Sequence, residues 1–226
     1  MANRADLGAV GEAWFGAGRA FRDVLYLDVA AGMGAGVVLG RRLVHGRCSL
    51  AEAGQMVLDR SALRLDRPAT LGTLGSGPAM SRLASVASLD ILWPEVAALV
   101  RTEDPIACGV WHEVTEAIAL GVANLAHLFS PEVIVVGGGI DRTGDLLLEP
   151  LRAGLHRHGP APQPIQTQVQ GGALGGDACL IGAAAWHEAF NPEVAGRDVP
   201  EPDRRGSGPD LGGTVYQWPT RSAAGA

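Results

Sequence analysis

Apolar residues Leu7, Val10, Trp14 and Phe15 recur at helical spacing, and Asp6 stands where an N-cap is expected, so the pattern predicts a helix over residues 7–21. The β-branched, apolar run 24–29 suits a buried strand. A small, Gly-rich bend at 30–34 follows, then a strand at 35–39, a turn at Gly40-Arg41-Arg42 and a short strand at 43–45. Three strands in succession make a β-meander rather than a βαβ unit. Residues 59–75 lack periodicity and read as loop.

Helical patterns return at 77–87, 91–101 and 105–129. The last is long and carries Ile118, Val122, Leu125 and Leu128 along one stripe. Ser130-Pro131 stops it, because proline cannot continue a helix. A buried strand at 132–136 runs into Gly137-Gly138-Gly139; a helix at 145–155, a strand at 165–169 and a helix at 177–189 complete the ordered part. From Asn191 onward proline, glycine and charge dominate, so residues 191–226 are expected to be a disordered tail behind one folded unit, 1–190. No repeat of fixed period is present.

The chain has 226 residues, 47% of them hydrophobic and 19% charged, enough for one sizeable core or two small lobes. All 18 basic residues are arginine, which excludes Schiff-base or P-loop chemistry that needs lysine. The formal charge of −6 and pI near 5.5 give no basic footprint for nucleic acid. Cys48, Cys108 and Cys179 are too scattered for metal or redox spacing and read as reduced core thiols. No apolar signal region opens the chain, and Asp28, Asn124 and His127 interrupt its most apolar runs, so neither run supplies the roughly 20 clean residues of a membrane span. A cytoplasmic protein is expected.

Three segments carry candidate chemistry. The strand–bend–strand around Ala30-Ala31-Gly32-Met33-Gly34 can present backbone N–H groups to a phosphate, or be only a tight turn. The strand ending in Gly137-Gly138-Gly139 allows close ligand approach at a strand's carboxyl end, or only close strand–helix packing; it is not a dinucleotide fingerprint. Glu52, in Ala51-Glu-Ala-Gly-Gln-Met56, is either a hydroxyl acceptor for a polyol or a solvated surface residue. His156-Arg157-His158 reads as a solvated segment in a Pro/Gly loop rather than a metal site, His127 as interior or interfacial, and His112 with Glu116 as helix surface. Ser76 lacks a nucleophile-elbow context.

In this order the segments resemble the ROK family of repressors and sugar kinases. That family has the actin-like ATPase (ribonuclease H-like) fold, so the resemblance implies an α/β second lobe with a mixed sheet and flanking helices. Its members carry Asn-Asp-Ala-Asn, Gly-Thr-Gly-Ile-Gly, Gly-Glu-Ile-Gly-His, a cysteine-rich zinc segment, a Gly-Gly-Gly strand and a late Gly-Asp-x-Ala helix. Residues 3–14, 30–34, 52–56, 131–140 and 176–184 match all of these except the zinc segment. The resemblance implies sugar contacts from Asn3, Glu52 and Gln55, and nucleotide contacts from Gly32, Gly34, Gly137, Gly138 and Gly139.

The departures are as informative. The family's catalytic base, the Asp of Asn-Asp-Ala-Asn, aligns with Arg4. A guanidinium stays protonated and has no lone pair, so it cannot take the proton of the attacking hydroxyl; losing a positioned base costs about 10²–10⁴ in rate. Asp6 replaces the motif's second Asn, Gln55 its His and Ala31 the Thr of Gly-Thr-Gly. Residues 67–78 hold no Cys where the zinc segment would fall, and Gly72 stands where a sugar-contacting Glu is expected. The family's Asp-x-Gly-Gly-Thr phosphate loop would precede residue 1.

The preferred expectation is therefore a degenerate, non-catalytic relative: a sugar-kinase-like or sugar-sensing regulator remnant with no certain cofactor, no zinc, a hexose as ligand and a homodimer as the expected assembly. The alternative is an ATP- and Mg-dependent hexose kinase whose first lobe is encoded elsewhere.

Overall fold

The computed structural model describes residues 3–44, 52–59, 69–139, 143–158 and 167–190. Helix α1, Arg4–Phe15, starts earlier than the apolar pattern predicts. Its N-cap is Asn3, not Asp6: the Asp6 amide donates to Asn3 Oδ1 at 2.8 Å, and the Asn3 amide donates back to Asp6 Oδ2 at 3.0 Å. Both residue types favour caps, and the reciprocal box settles which one serves. The helix also stops early, because the amides of Gly16 and Gly18 fold back onto the Glu12 carbonyl at 3.1 and 2.9 Å.

The meander is present as β1 (Val24–Val29), β2 (Met33–Leu39) and β3 (Arg42–Leu43). Position 45 of the expected third strand lies outside the described residues. The stretch read as loop is partly ordered: β4 (Val57–Asp59) pairs antiparallel with β5 (Ala69–Thr70), and α2 (Leu71–Gly75) follows. A five-residue helix has no period to detect; Thr70 starts it by accepting from the Thr73 amide, with Thr73 Oγ1 accepting in return from the Thr70 amide.

Next come α3 (Gly77–Val86), α4 (Trp93–Arg101) and α5 (Pro105–Phe129). Asp104 caps α5 by accepting from the amides of Ile106 and Ala107, and Ser130 in the left-handed region ends it ahead of Pro131. After β6 (Val133–Gly137), α6 runs over Asp145–His158, β7 over Gln168–Gly171 and α7 over Ala178–Phe190. His156-Arg157-His158 is thus the last turn of a helix, not a loop, and it faces an acid: Arg157 Nη2 pairs with Glu116 of α5, and His158 Nε2 lies 3.9 Å from Glu116 Oε2. His127 is exposed rather than interior. The expected disordered tail, 191–226, lies outside the described residues.

The five-stranded sheet has the order β3-β2-β1-β6-β7, antiparallel across β3-β2-β1 and parallel across β1-β6-β7. Alternation along β1 sends Leu25, Leu27 and Val29 to one face, into the larger core beneath α5, and Val24 and Tyr26 to the other, beneath α1 and α7. Among the described helices α5 alone is long and apolar enough to cross a membrane, and 61% of its most apolar window is buried within this fold. It is the central helix of the larger core. Cys108 and Cys179 are free and half-buried, so neither is a core thiol; Cys48 is outside the described residues.

Candidate functional site

The two central parallel strands, β1 and β6, end side by side, which is where α/β sheets place ligands. Asp28, the penultimate residue of β1, is in register with Gly34 of β2 on one side and Gly137 of β6 on the other. The glycines of the hairpin and of the three-glycine run therefore flank one carboxylate. Gly137 belongs to the strand, where a side chain would collide with Tyr26. Gly138 has φ +94° and lies over β1, where a Cβ would fall 2.6 Å from the Val29 carbonyl and collide with Asp28 Oδ1. Gly139 and Gly32 are exposed; a Cβ at Gly139 would meet only Trp93, at 3.6 Å, and one at Gly32 nothing within 4 Å. Gly34 packs close to Ala5 of α1.

Asp28 shares the Tyr26 face of β1 and so points toward the start of α1, where Arg4 is the first helical residue. Arg4 Nε donates to Asp28 Oδ2 at 2.8 Å and Arg4 Nη2 to Oδ1 at 3.0 Å. The carboxylate side chain is only 8% exposed, whereas that of Arg4 is 64% exposed. The hydrogen bonds and charge of Asp28 raise the Arg4 pKa above its ordinary value. The first residue of α1 is thus a permanently cationic side chain already paired with a buried carboxylate. Beside it, Cys179 Sγ contacts the Arg4 carbonyl at 3.2 Å; burial, then the Asp28 charge, push this thiol's pKa up. Asp28 drew no functional reading from the sequence, where it only interrupts an apolar run. The available signal was a carboxylate in phase with Tyr26 on a strand whose other five residues are apolar or aromatic.

Of the other residues near these strand ends, some are engaged in the scaffold and some are exposed. Asn3 and Asp6 are engaged in the α1 cap. Glu12 is fully buried and accepts from the amides of Ala17 and Ala173 through Oε2, at 2.8 and 3.1 Å, and of Leu174 through Oε1, at 2.9 Å. It ties α1 to the turn after β7. Glu52 and Gln55 are exposed at either end of the short turn Ala53–Gln55. Gly54 in that turn abuts the Met33 carbonyl, and Gly72 lies so near Gly54 that a Cβ there would be 3.0 Å from its carbonyl oxygen. Positions 52–55 and 72 are thus gathered on the α5 side of the β1–β2 hairpin, and Asn3 and Arg4 on its α1 side. Both groups adjoin the same bend, through Met33 and Gly34. Among the described residues no hydrogen bond or ion pair links Glu52 or Gln55 to Arg4.

A groove of about 390 Å³ opens beside the strand ends, lined by Trp93, Pro94, Ala97, Arg101, Gly139, Thr143 and Gly176. It joins the three-glycine run to the start of the late helix, two motifs far apart in sequence. Trp93 and Arg101 were not singled out in the sequence; their place here follows only from the packing of α4 against α5. Among the described residues no group of three His, Cys, Asp or Glu side chains could hold a metal. The donors at positions 69–78 do not suit zinc, since that stretch contains neither Cys nor His.

A mixed five-stranded sheet, helices on both faces and glycine-lined ends of two central parallel strands define an α/β protein of the actin-like ATPase fold. The chain belongs to the ROK family, whose sequence profile matches residues 1–189. A putative xylose repressor of Caldicellulosiruptor sp. (strain Rt8B.4) is 28% identical over 204 residues, covering 81% of this chain and 50% of the repressor. A glucokinase of Thermotoga maritima is 30% identical over 204 residues, covering 82% of this chain and 64% of the glucokinase. Among solved structures, a ROK family glucokinase from Streptomyces griseus in complex with glucose and AMPPNP superposes with TM-score 0.72 at 30% identity, covering 82% of this chain and 67% of that one. The chain spans about half to two thirds of the length of these relatives.

Proposed function

We propose that this is a sugar-binding ROK protein that does not transfer phosphate, a sugar-sensing or sugar-kinase-like relative of the family's regulators. The single observation behind this reading is the Arg4–Asp28 ion pair at the position aligned with the base. A kinase of this type needs a lone pair beside the attacking hydroxyl. Arg4 has none, and its charge is fixed by its partner. Asp28 does not stand in for the base, because both its oxygens accept from Arg4.

In this reading Glu52 accepts hydrogen bonds from sugar hydroxyls, Gln55 adds a weaker amide contact, and Asn3 completes the rim from the α1 side. Gly32 and Gly34 leave the bend open, and Gly137, Gly138 and Gly139 beside the groove retain weak adenosine affinity. Residues 1–190 act as one unit and the protein works in the cytoplasm as a homodimer. Nucleic acid is not contacted by this acidic chain directly. The second reading, an ATP-dependent hexose kinase, is favoured by the glucokinase relatives but lacks a proton acceptor at position 4.

Isothermal titration of the protein with glucose, mannose and xylose tests sugar binding. At least one sugar is expected to bind, and Glu52→Ala to weaken it tenfold or more. Absence of binding for all three, or binding indifferent to Glu52→Ala, overturns the assignment of the rim.

A further inference from the structure

The end of the sheet opposite the glycine-lined strand ends gathers arginines. Val24, which starts β1, pairs with Val38 near the end of β2 and with Val133 at the start of β6. The segment 19–23 and the turn Gly40–Arg42 meet there, and the Arg41 amide donates to the Arg22 carbonyl at 2.9 Å. Arg41, at φ +61°, is held by its own side chain. Its Nη1 donates to the carbonyls of Arg19 and Phe21 at 3.3 and 3.1 Å and its Nη2 to that of Ala13 at 3.4 Å, and the guanidinium lies 5.5 Å from the centre of the Trp14 ring. Arg19, Arg22 and Arg42 are exposed on the same two segments, although the chain as a whole carries a formal charge of −6.

The acids at this end are engaged with backbone. Glu132 Oε2 accepts from the amides of Arg22 and Asp23 at 2.5 and 3.0 Å, and Asp23 Oδ1 from that of Gly40 at 2.6 Å. Among the described residues no carboxylate pairs with Arg19, Arg22 or Arg41. Burial, then the charge of Arg22, lowers the Arg41 pKa, so the two cations repel and an arriving anion relieves both. Phe15, at the end of α1, is 56% exposed, and the carbonyl of its neighbour Gly16 accepts from the Arg19 amide at 3.2 Å. Exposed aromatic and arginine side chains side by side are the composition of protein–protein anchors. A short acidic segment matches the arginines locally, because charges farther off are screened beyond about 8 Å at physiological ionic strength. A long polyanion would run on over the acidic remainder of the chain.

We infer that this end of the sheet is a docking surface for an acidic amphipathic segment of a partner protein, whose carboxylates meet Arg19 and Arg22 and whose apolar side chains cover Phe15. The surface is independent of what the glycine-lined end binds.

The test is fluorescence anisotropy of a labelled helical peptide, leucines on one face and glutamates on the other, titrated with the full chain. It is expected to bind at least tenfold more tightly than the same peptide with glutamine for glutamate or serine for leucine, and to weaken as salt rises. Arg19→Glu combined with Arg22→Glu is expected to lower the affinity at least tenfold; Arg19→Gln with Arg22→Gln, a milder pair if charge reversal unfolds the chain, lowers it in the same direction. Phe15→Ser should lower it at least fivefold. Leu180→Ser, at an exposed apolar position next to the Cys179 that contacts Arg4 at the other end of α1, should leave it unchanged. Equal affinity for the glutamate and glutamine peptides overturns the inference, as does binding that survives the arginine variants or Phe15→Ser, or an equal loss from Leu180→Ser. So does tighter binding of duplex DNA at the same ionic strength, or a homodimer that dissociates on Phe15→Ser, which assigns the face to a second copy.

Discussion

Arg4 and Asp28 hold the first turn of α1 to the end of β1 through two hydrogen bonds of 2.8 and 3.0 Å, one to each carboxylate oxygen. The partners are unequal: the acid is buried and the guanidinium exposed. Removing the arginine therefore strands a carboxylate, whereas removing the acid returns a cation to water. Arg4→Ala is expected to lower stability by about 1–3 kcal/mol, the cost of an unsatisfied buried polar group. Asp28→Ala should cost less, and the double variant less than the sum of the two. Urea denaturation of all four proteins measures this coupling.

Glu12 is a structural acid. Its three amide donors come from the end of α1 and from the turn leading into α7, and all are orphaned together if the carboxylate is cut away. Glu12→Ala should destabilise by on the order of 3 kcal/mol or more, and Glu12→Gln, which keeps one acceptor oxygen, by about 1–2 kcal/mol. Chemical denaturation gives both values; a neutral Glu12→Ala would contradict this role.

Adjacent glycines should respond oppositely. Gly138→Ala forces a side chain into a left-handed backbone position and into Asp28, so a loss of about 2 kcal/mol or more is expected. Gly139→Ala meets only Trp93 at contact distance and should stay within about 0.5 kcal/mol of the parent. Thermal melts of the two variants measure this difference in packing.

Cys179 should be a slow thiol. Burial and the Asp28 charge raise its pKa, so the folded protein holds the proton to higher pH than the unfolded chain does. Its stability contribution is complete below the ordinary thiol value and fades as pH climbs through the raised one. Peptide-resolved alkylation followed by mass spectrometry should place the midpoint for Cys179 above that of a thiol in an unfolded peptide. Arg4→Ala should shift it further up, because Arg4 opposes the shift.

Much of the fold is legible in the sequence because its longest elements repeat. α5 matches its expected bounds end to end, with Ile118, Val122 and Leu125 of its stripe buried and Leu128 at its end exposed. β1 is a mostly apolar run that Asp28 interrupts, and β6 is a β-branched run that ends in glycines. The start of α1 is not legible, since Asn3 and Asp6 are equally good caps until their reciprocal bonds are seen. Nor is α2, whose Thr70–Thr73 box makes a helix too short to show a period. The end of α6 is hidden because Glu116, the acid that meets its last turn, lies on another helix. In the candidate site, motif order points to the glycines and Glu52, but the Arg4 contact depends on a partner 24 positions away. Local pattern carries helices, strands and caps; it does not carry which charge lies across from which.

The most direct test of the non-catalytic reading is ³¹P nuclear magnetic resonance of the protein incubated with Mg-ATP and a panel of hexoses. The account predicts that the ATP signals persist and no sugar phosphate resonance grows. A hexose phosphate signal that accumulates with this protein, and is abolished by Glu52→Ala, would contradict it.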